Sequence, residues 1–394
     1  MSYKKVKISD IGKIVSGATP KTKDVDNYGG SIAWITPADL SGYTSKYISH
    51  GSRNITQKGY DSCSTHLMPR GTVLFSSRAP IGYVAIAENP ICTNQGFKSI
   101  VPNDDIDSEF LYYQLQYLRK KIQEKGSGTT FKEISGKVLG ETDIVVPSLE
   151  EQSRVVAHIE ELFSELDKAI DTLKTTKEQL EVYRQAVLKD AFSCLPETVE
   201  MDKIADMIDP QPSHRTPPEY ENGIPYIGIG DIDYQNKKIN FEDARKVSPE
   251  VLDEHLHRYT IHKGDFVMGK IGTIGKPYKI PDEQNYALSA NVILIQPNKE
   301  KIYPEFLFWQ FSSSLVTKQL TLGAKATSQP AFGIKKARLL SIKICELEKQ
   351  FKIIKRLEAE MSCCDNIEKT VDAALAQADA MRQSILKQAF EGKL

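Results

Sequence analysis

The sequence predicts two similar domains of mixed α/β class (α+β), alternating with two long helices that pair as an antiparallel coiled coil. Three observations carry this. The second half of the chain restates the first, two stretches without Pro or Gly hold a seven-residue apolar repeat, and the blocks between them alternate short β-type runs with turn residues. The 394 residues exceed what one core usually organises, so two or more domains are expected. The predicted order is a first domain over 1–148, a helix over 149–195, a second domain over 196–345 and a second helix over 346–394.

The repeat is clearest in the helices. VPSLEEQSRVVAHIEELF from Val146 aligns with ICELEKQFKIIKRLEAEM from Ile344, and RQAVLKDAF from Arg184 with RQSILKQAF from Arg382. The offset drifts between about 192 and 198 residues along the chain, which gives an internal pseudo-twofold organisation. Fainter echoes run through the domains: GGSIAWI around Trp34 with NGIPYIG around Tyr226, RGTVLFSSRAPIG with KGDFVMGKIGTIG, and FLYYQ with FLFWQ.

From Glu150 to Phe192 a seven-residue column runs through Ile159, Leu166, Leu173, Leu180 and Val187, with a second through Val155, Leu162, Ala169, Thr176 and Tyr183. The second copy continues both in phase, as Leu357, Cys364, Val371, Ala378, Ile385 and as Glu360, Ile367, Ala374, Met381. Such a pair of columns predicts an a/d coiled-coil seam. A helix of about 40 residues is about 60 Å long and needs a long partner. The other repeat's helix is the natural one, and antiparallel pairing would put the two domains at opposite ends.

Within the domains, GTVLFSSR, GYVAIAE, DFVMGKIG and NVILIQP read as strands and EFLYYQLQYLRKKIQE as a helix. Strand order is not legible. Trp34 and Tyr226 hold equivalent places and are expected to pack in the cores.

Composition and motif searches exclude several functions. Net charge is −1, which argues against coating nucleic acid by charge alone. By segment it is about +4, −4, 0 and −1 in chain order, so any contact with DNA should be local. No apolar run approaches the roughly 20 residues of a membrane span, and the scattered cysteines suit a reducing compartment; a cytoplasmic protein without membrane partners is expected. GKIGTIGKP misses the phosphate-loop spacing, DPQP and TPPE miss a base-methyltransferase loop, and YIGIGD is only a turn. No acidic-x-Lys triplet follows Pro281 and Asp282 at the useful spacing that a metal-dependent nuclease requires. His255 and His257 would share the face of a strand, with no third metal ligand. No catalytic, cofactor or metal site is expected.

Two similar domains on a rigid rod suit a reader of a split DNA sequence, with half-sites roughly one to one and a half turns apart. The chain resembles the specificity subunit of type I restriction-modification systems. The resemblance rests on the helix starts VPSLEEQ and CELEKQ, the helix ends RQAVLKDAF and RQSILKQAFEGKL, and SGATPKT and GSIAWITPADL near the start. The second domain departs from that pattern with PSHRTPPEYENGIPYIGIGDI. The resemblance implies two target-recognition domains on double-stranded DNA with a bipartite target. It also implies helices that set the spacer and dock two methylation subunits, and association with restriction subunits. S-adenosylmethionine, ATP and Mg would reside on those partners and none on this chain.

Base edges and phosphates are read by Arg, Lys, Asn, Gln, Ser and Thr on polar loops. In the first domain these are Thr19, Lys21, Thr22 and Lys23; Ser77 and Arg78; Asn94 and Gln95; and Ser127, Thr129, Thr130 and Lys132. In the second they are Ser213, His214 and Arg215; Lys270; Asn291; and Lys325, Thr327 and Gln329.

Overall fold

A computed structural model describes residues 4–128, 132–324 and 331–393. By contacts the chain forms two units, Met1–Leu173 with Ala373–Leu394, and Lys174–Asp372. Each unit therefore holds one globular domain and a part of both long helices, which run from Leu149 to Ser193 and from Leu347 to Phe390.

In unit 1 a sheet orders the strands Gly12–Ser16, Lys98–Pro102, Val73–Phe75, Val84–Ala87 and Tyr47–Ile48, antiparallel except for the last pair. Both faces are covered at the strands Val73–Phe75 and Val84–Ala87, which explains why these two read as apolar runs rather than alternating ones. Val73, Phe75, Ile86 and Ile100 face the helix Ser108–Glu124, while Leu74, Ala85 and Ala87 face a second layer holding Ala33, Ile35 and Leu40. That helix begins where the Asp107 carboxylate accepts from the backbone N–H groups of Glu109 and Phe110, both at 2.8 Å, which satisfies two otherwise unpaired donors. It buries Phe110, Leu111, Leu115, Leu118 and Ile122, each contributing about 1.5–3 kcal/mol.

Unit 2 repeats the design. Its sheet orders Ala205–Ile208, Val292–Pro297, Phe266–Gly269 and Gly275–Lys279, with Ile293 and Ile295 on one face and Val292 and Leu294 on the other. The short parallel pairing of Trp34–Ile35 with Cys92–Thr93 recurs as Tyr226–Ile227 with Ala287–Leu288, and Trp34 and Tyr226 are both buried. The counterpart of the helix Ser108–Glu124 is broken here into Pro304–Phe311 and Ser314–Gly323. At the break Ser312 and Ser313 turn their hydroxyls back onto the Phe308 and Gln310 carbonyls, in competition with the helical ladder.

The first predicted seam column holds: Ile159, Leu180, Val187, Leu357, Cys364, Val371 and Ala378 are buried, and Leu166, Leu173 and Ile385 half-buried. The second needs correction. Val155, Leu162, Thr176, Glu360 and Ala374 are half-buried but Ala169, Tyr183, Ile367 and Met381 are exposed, and the more inward positions lie one residue later, at Val156, Phe163, Ile170, Lys177, Arg184 and Ala191 and their repeats Ile354, Met361, Glu368, Leu375, Arg382 and Ala389. Charged side chains fill part of this column because each finds a partner across the seam. In unit 2 Arg184 pairs with Asp365 at 2.9 Å and Glu368 at 2.8 Å, Lys177 with Asp372 at 2.7 Å, and Asp190 with Arg356 at 3.0 Å. Numbers that rise on one helix meet numbers that fall on the other, so the pairing is antiparallel. In unit 1 Arg382 pairs with Asp167 and lies over the Phe163 ring.

The helix ends explain the repeated RQ…LK.AF motif. Phe390 packs edge-on against Phe110 in unit 1, and Phe192 against Phe306 in unit 2, both with ring centroids 5.3 Å apart. Each long helix is thus anchored at its end to the domain that did not precede it.

Candidate nucleic-acid interface

In unit 1 the four candidate segments meet around the ends of the central strands. The Ser77 N–H donates to the Gly96 carbonyl at 2.7 Å and the Ile134 N–H to the Ser77 carbonyl at 3.0 Å, which joins the segments at 77–78, 94–97 and 132–134. Ser127 and Glu133 exchange backbone hydrogen bonds at 3.0 and 2.9 Å. Thr19 adds the fourth segment through its hydroxyl, 2.5 Å from Gln95 Oε1. Lys21, Thr22, Lys23, Gln95, Ser127 and Lys132 are exposed and Thr19, Arg78 and Asn94 half-buried. The Asn94 side-chain oxygen accepts from the Gly96 N–H at 2.8 Å and shapes its own turn.

Ser77 departs from expectation. It is fully buried, so it presents nothing to a base edge; its neighbour Arg78 turns outward to Glu133 at 3.5 Å. Lys98, not among the sequence candidates, also approaches Glu133, at 3.8 Å. Burial pushes the Lys98 ammonium below its ordinary value, against the attraction of Glu133, and Arg78 adds repulsion.

In unit 2, Ser213, His214 and Arg215 are exposed on a loop whose base is Asp209. Lys270 is the second correction: it is buried, and its ammonium sits 2.5 Å from the Asp209 carboxylate, so its charge is spent inside the protein. Lys270 and Ser77 end the same strand of the repeat, since the Lys270 N–H donates to the Asn291 carbonyl at 2.8 Å and Phe332 N–H to the Lys270 carbonyl at 2.9 Å. Asn291 therefore corresponds to Gly96, whereas the counterpart of Asn94 is Ser289, whose hydroxyl accepts from the Asn291 N–H at 3.4 Å. Asn291 is half-buried and its oxygen accepts from the Ile229 N–H at 3.1 Å, a loop clamp rather than a free reader. Thr129, Thr130, Lys325, Thr327 and Gln329 lie outside the described residues.

His255 and His257 lie on the helix Pro249–Arg258, not on a strand. His255 is buried between Gln211 and Tyr259, and burial pulls its ring down to about 4, with Arg258 adding repulsion. His257 is exposed and bonds to its own helix at the Asp253 carbonyl. Among the described residues, no three His, Cys, Asp or Glu side chains group to hold a metal ion. Asp209 and Gln211, which organise the loop with His255, gave no sequence signal beyond a failed methyltransferase match, and His255 none beyond the pair it makes with His257, because their partners come from distant segments.

The family model described as the type I restriction modification DNA specificity domain matches residues 2–182 and again 196–377. The chain is 44% identical over 188 residues to the type I restriction enzyme MjaIX specificity subunit of Methanocaldococcus jannaschii, a match covering 47% of this chain and 43% of that protein. So it spans less than half the length of that relative. To the type I restriction enzyme EcoBI specificity subunit of Escherichia coli it is 24% identical over 421 residues, covering 100% of this chain and 86% of that one. Among solved structures, the fold is similar to a chain from a study of assembly and conformational transition of the type I R-M system, with TM-score 0.74 and 17% identity, covering 100% and 98% of the two chains. The HsdS subunit from Thermoanaerobacter tengcongensis follows, with TM-score 0.59, 18% identity and coverage of 100% and 97%. Two matches to one family model, one on each repeat, accord with the duplicated sheets and the reciprocal helix anchors: the chain belongs to the type I restriction-modification DNA specificity family.

Proposed function

We propose that this chain is the non-catalytic subunit that gives a type I restriction-modification complex its DNA sequence specificity, each domain reading one half of a bipartite site on double-stranded DNA. The observation that carries this reading is the pair of equivalent loop clusters, one per unit, built on the same strand ends but filled with different residues. In the first domain Thr19, Lys21, Thr22, Lys23, Arg78, Asn94, Gln95, Ser127 and Lys132 form the reading face, and in the second Ser213, His214 and Arg215. Arg78 and Arg215 are the side chains best suited to base or phosphate contact, being charged, planar and on loops. Domain boundaries at 148, 195 and 345 follow from the repeat.

The helices are proposed to set the spacer and to dock two methylation subunits. Their exposed stripe supports docking: Tyr183 and Met381 are equivalent positions, 51% and 53% exposed, and Val182 beside Tyr183 is 71% exposed. Large apolar side chains left outside on both copies of a coiled coil fit a partner's helices. Restriction subunits complete the complex, with S-adenosylmethionine, ATP and Mg bound by the partners. No helix among the described residues is long and apolar enough to cross a membrane, in keeping with a proposed cytoplasmic location.

The test is to express the chain with methylation and restriction partners and to map methylated bases across a genome. A two-part motif with a fixed gap is expected, and exchange of residues 196–345 for those of another member should change one half alone. Absence of any motif from an assembled complex would favour a protein scaffold instead.

A further inference from the structure

The buried face of the helix Pro249–Arg258 reaches the loop that carries Ser213 and Arg215. His255 Nε2 lies 3.0 Å from Gln211 Oε1, and Nδ1 lies 2.8 Å from the Tyr259 hydroxyl. The direction of each bond follows from the two ends of this relay. The Arg215 carbonyl can only accept, so the group 3.2 Å from it is the Gln211 amide NH2, which also donates to Ser213 Oγ at 3.0 Å. The Gln211 oxygen then accepts from His255 Nε2–H, which leaves Nδ1 as acceptor. At the far end the Leu288 N–H donates to the Tyr259 oxygen at 3.4 Å, and the phenol O–H donates to Nδ1. A neutral ring in a single tautomer satisfies every link, and a relay with all its members paired holds one conformation.

The equivalent loop of the first domain is held differently, by Trp34 Nε1–H on the Ala18 carbonyl at 3.1 Å and the Tyr28 hydroxyl on the Pro20 carbonyl at 2.8 Å. Those bonds grip backbone, and the candidate side chain Thr19 is met by the exposed Gln95 rather than by a buried residue. In the second domain Gln211 also holds a candidate reading side chain, Ser213. We propose that Gln211 and His255 are positioning residues for half-site specificity, setting through this relay the conformation from which the loop Ser213–Arg215 reads bases. The inference rests on the reading that this loop faces DNA.

The experiment selects duplexes randomised in both halves on the full chain assembled with its methylation partners. Gln211→Glu keeps an oxygen toward His255 but turns a carboxylate onto the Arg215 carbonyl, and His255→Leu cuts the relay in the core. Both should lose about ten-fold discrimination in one half of the motif, the scale of a misplaced base contact, with the other half unchanged. His255→Gln, which offers an amide donor near the place of Nε2, should recover part of the loss. The unaffected half is an internal control for folding. Equal losses in both halves, or no recovery in His255→Gln, would overturn the relay. Arg215→Ala separates the two ideas: if it alters one half while Gln211→Glu and His255→Leu do not, the relay fails and the loop reading stands. If Arg215→Ala with Ser213→Ala changes neither half, the loop reading itself has failed.

Discussion

Gln152 and Gln350, one repeat apart, make the same three hydrogen bonds at the heads of the two long helices. Gln152 donates to the Asp105 and Pro147 carbonyls, both at 3.0 Å, and accepts from the Asp107 N–H at 2.8 Å. Gln350 donates to the Lys301 and Cys345 carbonyls at 3.1 and 2.7 Å and accepts from the Tyr303 N–H at 3.0 Å. Both side chains are fully buried. One amide thus closes the strand that enters the helix onto the start of the domain's own helix, which fixes the direction in which the rod leaves each domain.

Replacing either glutamine by leucine strands three backbone groups and should cost at least about 3 kcal/mol, since each buried unpaired group costs about 1–3. The chain has two tryptophans, Trp34 in unit 1 and Trp309 in unit 2, so urea unfolding followed in single-tryptophan backgrounds resolves the units. Gln152→Leu should shift the Trp34 transition and Gln350→Leu the Trp309 transition. Equal shifts of both by one variant would contradict the division into two units.

Phe192→Ala and Phe390→Ala each remove an aromatic ring that pins a helix end, with an expected loss of about 3–5 kcal/mol for a buried Phe. Because of the reciprocal anchoring, the variant at the end of the first helix should weaken unit 2, and the variant at the end of the second should weaken unit 1. Thermal unfolding with the same tryptophan reporters checks the assignment.

Ser77→Ala and Arg78→Ala distinguish the buried from the exposed neighbour. The Ser77 hydroxyl is buried without a hydrogen-bond partner, so its removal should leave sequence preference intact and stability within about 1 kcal/mol of wild type. Arg78→Ala should weaken recognition of one half-site by about 1–3 kcal/mol. Equilibrium binding of the assembled complex to matched and mismatched duplexes reads both.

His255 gives unit 2 a pH dependence of known sign. Its ring value is lowered from 6.5 to about 4 in the folded chain, so the unfolded state binds the extra proton between those limits. The stability supplied by the neutral ring is complete above pH 6.5 and is lost as pH falls toward 4. Urea midpoints of the Trp309 transition at pH 7 and pH 5 should drop further in wild type than in His255→Gln. An equal drop in both would assign the acid sensitivity to other groups.

Much of the architecture was legible from residue order alone. The duplication, the two long helices and the first seam column followed from repeats and period, because a buried apolar column must recur with the turn of the helix. The second column was not legible. Lys177, Arg184, Glu368 and Arg382 are charged, and only the approach of the other helix shows that each has an opposite charge to meet. The exposed Tyr183 and Met381, apolar and well spaced, drew the prediction one residue away from the true seam.

The candidate interface divided in the same way. Loop chemistry located the segments around Thr19, Arg78, Gln95, Ser127 and Arg215, since polar residues between strands mark surface turns. Which side chain within a segment turns outward was decided by strand pairing. Ser77 and Lys270 end the same strand facing inward, and Lys270 tolerates burial only because Asp209, far away in the chain, supplies its counter-charge. The sequence by itself determined the repeat, the helices and the loops, all products of local pattern. Tertiary structure alone decided the charged seam, the buried lysine and the relay through His255, because each depends on a partner that the chain brings near only by folding.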